Sequence, residues 1–379
     1  MPGASLPPNL YVHFPFCRRK CAYCALHSSA GSTPAMRAAH VSKALAAVKG
    51  RLSPSGAPCF KTVYFGGGTP ALCDLRPFRG LFPEDAEFTV ELHPLDVTDE
   101  KLDELKSIGV GRISLGVQSF CDATLVSMER LHSSADAVRA FQKIRAAGFA
   151  NAGIDLIAGW PGDRGSLDSA KRAVDLGAVH VSVYTLIVEP GTRLARRVRG
   201  AEVSIPSDDE ALDAVAAMRE QLAAAGIVRY EISNYAKPGF ECRHNLAVWR
   251  GEDYFGIGPG AYSREGRKRW HVADGWKLAG ETVLDAMHDA RERALFALRL
   301  AEGLDFEHAA RLFNPSADEA AERQKETAEW QAVLDAWRAR LDGFVPQGLV
   351  RQLLSSRYAL TDRGFEVCDA VSAELIGGK

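Results

Sequence analysis

Three cysteines near the start of the chain, Cys17, Cys21 and Cys24, have the spacing Cys-x3-Cys-x2-Cys. Three thiolates on one short loop can hold three irons of a [4Fe-4S] cluster, which leaves the fourth iron without a protein ligand. A cluster with four protein thiolates mainly transfers electrons, whereas an open iron position can bind and activate a small molecule, as an open zinc position does. The spacing therefore indicates a cluster that takes part in chemistry.

A structural zinc site is the alternative interpretation of these thiols. Such a site takes four ligands, and either His13 or His27 could complete a Cys3His set. There is no second Cys-x2-Cys pair in the chain, and the other cysteines are scattered singly. Free cysteines of that kind are commonly small buried hydrophobic residues, so we assign them no role and favour the cluster.

The composition is that of an ordinary globular protein. With 379 residues the chain is long enough for two or more domains, and 46% apolar and 25% charged residues are typical of soluble chains. A net charge of −2 gives no global attraction to nucleic acid or to an anionic membrane. There is no run of about 20 apolar residues and no signal-peptide pattern, and reduced cysteines fit a reducing compartment. We expect a cytoplasmic protein that is not integral to a membrane and binds no nucleic acid.

Short apolar runs alternate with helical patterns through the first half of the chain. Six runs are predicted to be strands, at residues 10–14, 61–65, 87–92, 112–117, 154–158 and 179–186. Five segments are predicted to be helices, at residues 35–49, 99–108, 135–147, 166–176 and 208–225. This alternation predicts a parallel sheet with helices outside, and residues 229–232 are a candidate seventh strand. In a barrel of this kind the chemistry gathers where the strands end.

The candidate functional residues fall at those strand ends. The cysteine loop follows the first strand, and the run Gly66-Gly67-Gly68 follows the second, where glycine lets the backbone approach a ligand closely. A plain tight turn is the alternative for the glycines. Polar side chains at or just beyond the next strands are Glu91, Gln118, Arg130 and Asp155. A carboxylate there could take an ammonium group or a ribose hydroxyl pair, and an arginine could take a carboxylate, so together they suit a zwitterionic nucleoside.

The last third of the chain has a different character. Residues 241–290 are rich in Gly, Trp and His and show weak periodicity, whereas residues 291–379 have helical patterns with a hairpin at 348–360. We therefore divide the chain into a barrel at 1–240, a connecting segment at 241–290 and a mostly helical, winged-helix-like domain at 291–379. A DNA-binding role for the last domain is disfavoured because it shows no clustered basic face.

One histidine of the connecting segment is a candidate heme ligand. His244 lies near Trp249 and a glycine-rich stretch at 256–260, so it could ligate a heme iron beside an aromatic wall. A lone histidine is more often a satisfied structural residue, and the spacing alone leaves both interpretations open.

Together these motifs resemble the radical S-adenosylmethionine (SAM) superfamily, and more narrowly the group of oxygen-independent coproporphyrinogen III oxidases and HemW-type heme chaperones. The matching segments, in order, are YVHFPFC at 11–17, VYFGGGTP at 63–70, SLGVQSF at 114–120, IDLI at 154–157, EPGT at 189–192 and YEISNY at 230–235. The resemblance covers residues 9–265 and extends loosely into the C-terminal domain. It implies an incomplete (β/α)6 TIM-like barrel.

The resemblance also implies a set of cofactors. In this superfamily the cysteine loop holds the cluster, SAM chelates the open iron through its amino and carboxylate groups, and an electron from the cluster cleaves SAM to methionine and a 5′-deoxyadenosyl radical. The residues that match SAM-binding positions are Tyr11, Tyr23, Gly67, Gly68, Thr69, Glu91, Gln118, Arg130 and Asp155. By the same resemblance Tyr11 lies beside the sulfonium, Tyr23 packs against the adenine, and residues 67–69 lie against the methionine end.

Two departures favour the chaperone branch of this group over the oxidases. The oxidases carry a further cysteine two residues after the third, where this chain has Leu26, and they have a longer segment before the cluster. The chaperone branch has a His-Asn-x-x-Tyr-Trp motif linked to heme. His244, Asn245 and Trp249 match it, with Val248 at the tyrosine position.

The resemblance leads to one favoured function and two alternatives. We expect a [4Fe-4S], SAM-binding protein that binds heme and hands it to acceptor hemoproteins such as respiratory enzymes. The alternatives are a radical coproporphyrinogen III oxidase of porphyrin biosynthesis and a cluster-containing transcription regulator, which would bind DNA in a salt-dependent way. The electron donor would be flavodoxin-like or ferredoxin-like, and the run Arg18-Arg19-Lys20 could dock it, although such runs are more often solvated loops.

Overall fold

The computed structural model describes residues 8–52, 60–163, 165–313 and 320–377, so that Cys59 lies outside the described residues. Six parallel strands pair in chain order: β1 (Asn9–Phe14), β2 (Thr62–Gly67), β3 (Glu87–Leu92), β4 (Arg112–Gln118), β5 (Asn151–Ala158) and β6 (His180–Thr185). The predicted parallel sheet is confirmed in order and direction. Beyond β6 the sheet continues with a short antiparallel strand instead of returning to β1, so the barrel is incomplete.

The parallel strands are buried on both faces, but the two faces differ in chemistry. In β4, Ile113, Leu115 and Val117 belong to the main hydrophobic core. Ser114, between them, donates to Oδ1 of Asp155 on β5 at 2.9 Å. Because successive residues of a strand point to opposite faces, the outer face packs on the helices and the inner face carries polar groups.

Helices cover the outside of the sheet, and the five predicted ones are confirmed with every end within one residue of its expected position. Capping side chains set their starts: Thr98 accepts from the amide of Lys101, and Ser133 forms a capping box with Asp136. The helices are α1 (Pro34–Lys49), α2 (Asp99–Ser107), α3 (Asp122–Ser127), α4 (Ser134–Ala146), α5 (Ser166–Asp175), α6 (Arg193–Arg199) and α7 (Asp208–Ala224). Helices α3 and α6 have no sequence signal because each is shorter than two turns. Short 3-10 turns lie at Pro70–Leu72, Arg76–Phe78, Pro94–Asp96 and Asp274–Trp276.

The candidate seventh strand at 229–232 is wrong in its extent. The chain forms two short strands there, β7 (Val228–Arg229) and β8 (Asn234–Ala236), which pair antiparallel, and β8 pairs antiparallel with β6. Between them the amide of Ser233 donates to the carboxylate of Glu231 at 3.1 Å. This local bond stabilises a reversal of the chain, so a continuous strand cannot form.

The connecting segment at 241–290 is more regular than its weak periodicity indicates. It forms helix α8 and four strands: α8 (Arg243–Trp249), β9 (Tyr254–Ile257), β10 (Tyr262–Glu265), β11 (Lys268–Ala273) and β12 (Lys277–Val283). Strand β9 pairs parallel with β1, and the other three extend the sheet antiparallel. Because β12 is almost entirely exposed, it lacks the alternation of apolar residues that reveals a strand in a sequence.

The C-terminal part has a hydrophobic core of its own. Its longest helix contributes four buried residues to that core: Trp330, Leu334, Trp337 and Leu341. Its helices are α9 (Ala286–Ala297), α10 (Phe306–Leu312), α11 (Ala320–Phe344), α12 (Asp362–Glu366) and α13 (Cys368–Gly377). They pack around a three-stranded sheet of β13 (Leu304–Asp305), β14 (Val350–Leu354) and β15 (Arg357–Leu360). Strands β14 and β15 are the predicted hairpin. Among the described helices, none combines the length and the apolar character that crossing a membrane requires.

We expect the C-terminal core to contribute strongly to stability. Leu341 is fully buried, so Leu341→Ala should lower the free energy of unfolding by about 2–5 kcal/mol through lost apolar contact and a cavity. Urea denaturation followed by circular dichroism measures the change. The matched control is Leu354→Ala, because Leu354 is 63% exposed and its truncation should change the same quantity by less than about 0.5 kcal/mol. Equal losses in the two variants would contradict this assignment of the core.

Candidate cofactor site

A cavity of about 700 Å³ opens where the parallel strands end. The structure brings all the residues predicted to hold a cluster or SAM to its wall: Cys17, Cys21, Cys24, Tyr11, Tyr23, Gly67, Gly68, Thr69, Glu91, Gln118, Arg130 and Asp155. They come from strands β1 to β5 and from the loops that follow these strands. The expected single mouth is therefore present.

The cysteine loop leaves β1 directly and is fixed at its base and its middle. The two-residue strands Phe16–Cys17 and Ser29–Ala30 pair at its base. In its middle, the amide of Ala22 donates to the carbonyl of Met128 at 3.0 Å, and the carbonyl of Ala22 accepts from the amide of Leu194 at 2.8 Å. The loop held in this way presents three free, half-buried thiols to the cavity.

A fixed cation lies against these thiols. Burial raises the pKa of Cys17 and of Cys24, which favours their neutral forms unless a positive charge or a metal offsets it. The guanidinium of Arg130 donates to Sγ of Cys21 at 3.3 Å and also to the carbonyl of Gly116. Arg130 therefore favours negative charge on the loop, as thiolates that bind iron require.

The glycine run is required by close packing against the cysteine loop. Gly67 has a φ of 104°, and a Cβ on it would lie 2.4 Å from the ring of His13. A Cβ on Gly68 would lie 2.6 Å from the carbonyl oxygen of Phe16. The amide of Gly68 also donates to the carbonyl of Phe14 at 2.8 Å. Any larger residue would push the end of β2 away from the cysteines, so local packing explains these glycines without a ligand.

Glu91 ends β3 and faces the cavity. Its Oε1 accepts from the hydroxyl of Tyr64 at 2.9 Å, and its Oε2 accepts from the amide of Gly67 at 3.0 Å. Burial, with a smaller contribution from the charge of Asp155, raises the pKa of Glu91 to about 7. A cation in the cavity would favour the ionised form, so Glu91 is suited to bind an ammonium group.

Asp155 is fixed by hydroxyl groups on the two strands beside it. Its Oδ1 accepts from Ser114 at 2.9 Å and from Ser182 at 2.7 Å. Burial raises the pKa of Asp155, and these two hydrogen bonds oppose the rise. Within the described residues its Oδ2 accepts no hydrogen bond. That oxygen is therefore available to a hydroxyl or a cationic group of a ligand.

A bulge at the end of β4 positions Gln118. The register between β4 and β5 shifts between Gly116 and Gln118, and Gln118 has a φ of 73°, in the left-handed region. A Cβ on Gly116 would lie 3.1 Å from Nε2 of Gln118 and 3.7 Å from Nη2 of Arg130. The missing side chain at position 116 therefore lets the amide and the guanidinium share one wall of the cavity.

Two tyrosines complete the wall. The hydroxyl of Tyr11 is 3.0 Å from Nδ1 of His13, and the ring centroids of Tyr11 and Tyr64 are 6.0 Å apart. Tyr23 packs edge-on against Trp160 with 5.9 Å between the ring centroids. Burial raises the pKa of both Tyr11 and Tyr23, so both hydroxyls stay protonated.

The alternative zinc site has little support from its candidate histidines. Both ring nitrogens of His13 are engaged, one with the hydroxyl of Tyr11 at 3.0 Å and the other with the carbonyl of His27 at 2.7 Å. The exposed ring of His27 pairs with Asp274 at 3.2 Å. Among the described residues, no three His, Cys, Asp or Glu side chains converge closely enough to hold one metal ion. In a cluster each thiolate binds a different iron, so the sulfurs need not converge on one point.

The candidate heme motif lies on α8, at the opposite ends of the strands from the cysteine loop. His244 is buried, with its Nδ1 2.9 Å from Oγ1 of Thr62, and its amide donates to the carboxylate of Glu87 at 3.2 Å. Thr62 and Glu87 are the first residues of β2 and β3. His244 therefore closes the floor of the barrel, whereas the cavity opens at its mouth.

The rest of the motif makes structural contacts. Nε1 of Trp249 donates to the carboxylate of Glu231 at 2.5 Å, and Asn245 is half-buried. Burial lowers the pKa of His244 to about 4, so this ring is neutral. In this conformation the structure does not bring His244, Asn245 and Trp249 to the cavity.

Some cavity residues have no sequence signal. Tyr184 and Ile187, at and just beyond the end of β6, line the cavity and are 44% and 68% exposed. His93, two residues after Glu91, also lines it, and its Nε2 is 3.4 Å from Nδ1 of His132. In a sequence these side chains resemble ordinary loop residues, and only their positions after strand ends could have indicated them.

The incomplete barrel and the cysteine-lined cavity define a protein of the radical SAM class, and the model of the Radical SAM superfamily matches residues 11–166. A heme chaperone HemW from Mycobacterium tuberculosis is 35% identical, with 100% of this chain and 96% of the relative covered. A heme chaperone HemW from Escherichia coli is also 35% identical, over 68% of this chain and 71% of the relative. The chain belongs to the heme chaperone HemW family.

A solved structure agrees on the fold. The coproporphyrinogen III oxidase HemN from Escherichia coli, described as a radical SAM enzyme, has a TM-score of 0.75 to this chain. The match covers 97% of this chain and 90% of that one at 20% sequence identity. At that identity the likeness concerns the fold alone. The predicted family and fold class are therefore confirmed.

We expect Glu91→Gln to stabilise the ligand-free protein at alkaline pH relative to acidic pH. The folded protein raises the pKa of Glu91 from 4.5 to about 7, so between these values the folded state holds a proton that the unfolded state has lost. The wild type therefore loses stability as the pH rises through this window, and the variant does not. The unfolding free energy of the variant minus that of wild type should rise by about 2 kcal/mol from pH 5 to pH 8.

Urea denaturation at the two pH values measures this difference. The control is Glu374→Gln, since Glu374 is exposed and its replacement should give a difference from wild type that does not change with pH. A pH-independent difference for Glu91→Gln would show that the carboxyl is ionised throughout.

Gly68→Ala should displace the cysteine loop. Because the new Cβ would lie 2.6 Å from the carbonyl oxygen of Phe16, the thiols should bind iron roughly 10–100-fold more weakly. Anaerobic reconstitution followed by iron and sulfide analysis measures the loss. Gly111→Ala is the matched control, because within the described residues nothing lies within 4 Å of the position that its new methyl group would occupy. Full iron content in Gly68→Ala would refute this coupling, and colourless, zinc-containing wild type would refute the cluster itself.

Proposed function

We propose that the protein is a cytoplasmic heme chaperone, which binds heme and delivers it to acceptor hemoproteins such as respiratory enzymes. The observation that carries the proposal is the match along the whole chain, at 35% identity, to a relative named heme chaperone HemW. The cavity at the strand ends supports the cofactor part of the proposal, because it gathers the residues that a radical SAM protein needs.

The proposed resident cofactor is a [4Fe-4S] cluster on Cys17, Cys21 and Cys24. The residues fit it: three free thiols line one cavity, and Arg130 donates to Cys21. When bound, the cluster would supply an iron with an open position, which can hold the amino and carboxylate groups of SAM. Arg130 balances the negative charge of the thiolates, and the fixed loop keeps all three directed at the same space.

The other cavity residues suit the remaining parts of SAM. Glu91 offers a carboxylate beside the amide of Gly67, which suits an ammonium group. Asp155 offers Oδ2 to a ribose hydroxyl, since its Oδ1 is held by two serines. Tyr23, which lines the cavity and packs edge-on against the buried Trp160, offers an aromatic surface for an adenine ring. These roles are assigned from charge, shape and position in the cavity.

Leu26 favours the chaperone over the oxidase. The oxidases of the group that this chain resembles have a further cysteine at the corresponding position. Here that position is Leu26, which lies at the rim of the cavity and is 55% exposed. A leucine supplies neither a thiolate ligand nor a redox-active sulfur. The remaining support for the oxidase alternative is the similarity in fold to a coproporphyrinogen III oxidase.

Ligation of heme by His244 is retained as a proposal with one structural requirement. His244 is 6% exposed and lies 2.9 Å from the hydroxyl of Thr62. The rings of Tyr11 and Tyr64 lie against it, at 6.4 and 5.2 Å between centroids. Heme iron can therefore reach it only if α8 leaves the floor of the barrel or these two rings move aside, and movement of α8 breaks the bond of Trp249 to Glu231 as well. Heme would then bind to a minor conformation, and the observed binding rate should level off as the heme concentration rises.

Heme titration tests the function. Wild type should shift the Soret band of added heme, His244→Ala should lose that shift, and His288→Ala should keep it, because the His288 side chain is 70% exposed. Urea denaturation checks that His244→Ala remains folded, and stopped-flow mixing tests the levelling of the rate.

Three outcomes would count against these proposals. An unchanged Soret band in wild type would remove heme binding, and full binding by folded His244→Ala would place the iron ligand elsewhere. Conversion of coproporphyrinogen to protoporphyrinogen with SAM and a reductant under argon would favour the oxidase.

A further inference from the structure

A ridge of positive charge borders the cysteine loop. Part of it lies on the loop itself and part on α6, which packs beside the loop through the hydrogen bond from the amide of Leu194 to the carbonyl of Ala22, 2.8 Å long. The guanidinium of Arg193 also donates to the carbonyl of Lys20. We define the basic ridge as Arg19, Lys20, Arg196, Arg197 and Arg199.

The charges of the basic ridge are not neutralised by the protein. Within the described part of the chain, none of its five cations has a carboxylate within ion-pair distance. Arg19, Lys20 and Arg197 instead donate to backbone carbonyls, at 2.6, 3.0 and 3.1 Å. A carbonyl holds a cationic side chain in place but leaves its net charge, so these three side chains are both ordered and electropositive. Arg196 and Arg199 are exposed on α6 and add two further positive charges.

The acidic groups around the ridge are too few to cancel it. Glu129 is paired with Arg193 at 2.6 Å, and Asp96 is paired with Arg18 at 2.5 Å. Glu202 lies just beyond the end of α6 and Glu189 shortly before its start, so two carboxylates without an ion-pair partner among the described residues stand against five cations. The chain as a whole has a net charge of −2, so the ridge is a local concentration of charge and not a result of the average composition.

We propose that the basic ridge is the docking surface of an acidic one-electron carrier protein of flavodoxin or ferredoxin type. The proposal rests on the proposed cluster, since the carrier would reduce it. One electron passes from the reduced carrier to the cluster, the carrier is oxidised by one electron, and no covalent bond forms or breaks. Electron transfer is short-ranged, so the carrier must sit beside the cysteine loop, and Lys20 of the ridge is the neighbour of Cys21 in the chain.

The extent of the positively charged surface fits such a partner. Transient redox complexes use small interfaces, and complementary charge supplies much of their association rate. Heme propionates are the other plausible anions, but a heme has two carboxylates, whereas the five cations extend over a loop and a helix. An extended acidic protein surface matches that distribution better.

Binding of an acidic bacterial flavodoxin to the full chain tests the proposal. Arg196→Glu/Arg199→Glu should weaken binding at low ionic strength by about tenfold or more, and wild-type binding should itself weaken as salt is added. The matched control is Arg351→Glu/Arg363→Glu, which makes the same change of charge at two exposed arginines of the C-terminal part. Calorimetric titration of the cluster-free protein measures affinity without any dependence on iron.

A second measurement separates docking from damage to the cluster. Reduced flavodoxin should bleach the cluster of Arg196→Glu/Arg199→Glu at least about tenfold more slowly than that of wild type, whereas dithionite, which needs no docking surface, should bleach both at the same rate. Equal flavodoxin affinity for the ridge variant and its control, or binding that is insensitive to salt, would overturn the proposal.

Heme titration of the same variants distinguishes this proposal from the proposed function. Unchanged heme affinity in Arg196→Glu/Arg199→Glu is the expected result, and a loss of heme affinity with flavodoxin binding intact would assign the ridge to heme propionates instead. Wild type that binds flavodoxin at the ridge but does not bind heme would leave the docking surface standing and remove the chaperone function.

Discussion

The contact between the end of β2 and the start of the cysteine loop is the constraint on which the site depends. The amide of Gly68 donates to the carbonyl of Phe14. Because Gly68 has no Cβ, its backbone can lie close to the backbone of Phe16. One residue earlier, the amide of Gly67 donates to Glu91. A single glycine run therefore fixes the loop that carries the thiols and, through β3, a carboxylate on the facing wall.

The inner face of the barrel is polar from mouth to floor, and mutual hydrogen bonds make this possible. Asp155 is held by hydroxyls of the neighbouring strands, and on the floor Nε2 of His180 lies 2.9 Å from the hydroxyl of Tyr230. Arg112 is different, because it is buried and two of its nitrogens have no partner within the described residues. Its charge opposes the rise in the pKa values of Glu91 and Asp155. The cation at the base of the lumen thus favours the ionised forms of the carboxylates at the mouth.

The sequence predicted the barrel well because each repeat of that region carries its own signal. The strands are short buried runs in which apolar residues recur at every second position, as in β4, and helices such as α4 begin at a recognisable capping box, here Ser133 and Asp136. The cavity could be predicted because the C-terminal halves of parallel strands lead to one edge of the sheet, where Glu91 of β3 and Asp155 of β5 line the same cavity. Between 228 and 290 the prediction failed, because β12 is exposed and β7 and β8 are set by the turn around Glu231. An exposed strand lacks the alternation of apolar residues, and a turn fixed by one side chain and one amide has no distinctive pattern in a sequence.

The position of α8 sets the proposed ligation of heme by His244 against folding stability. Residues of α8 are tied to both parts of the molecule, since His244 contacts Thr62 in the barrel and Trp249 packs at 5.6 Å, ring to ring, against Phe296 of α9. A conformation that exposes the His244 ring by moving α8 must break contacts with the barrel and with the C-terminal helices together. If His244 ligates heme, only molecules in that conformation can bind it. The apparent affinity for heme is then the intrinsic affinity multiplied by the small fraction of molecules in that conformation.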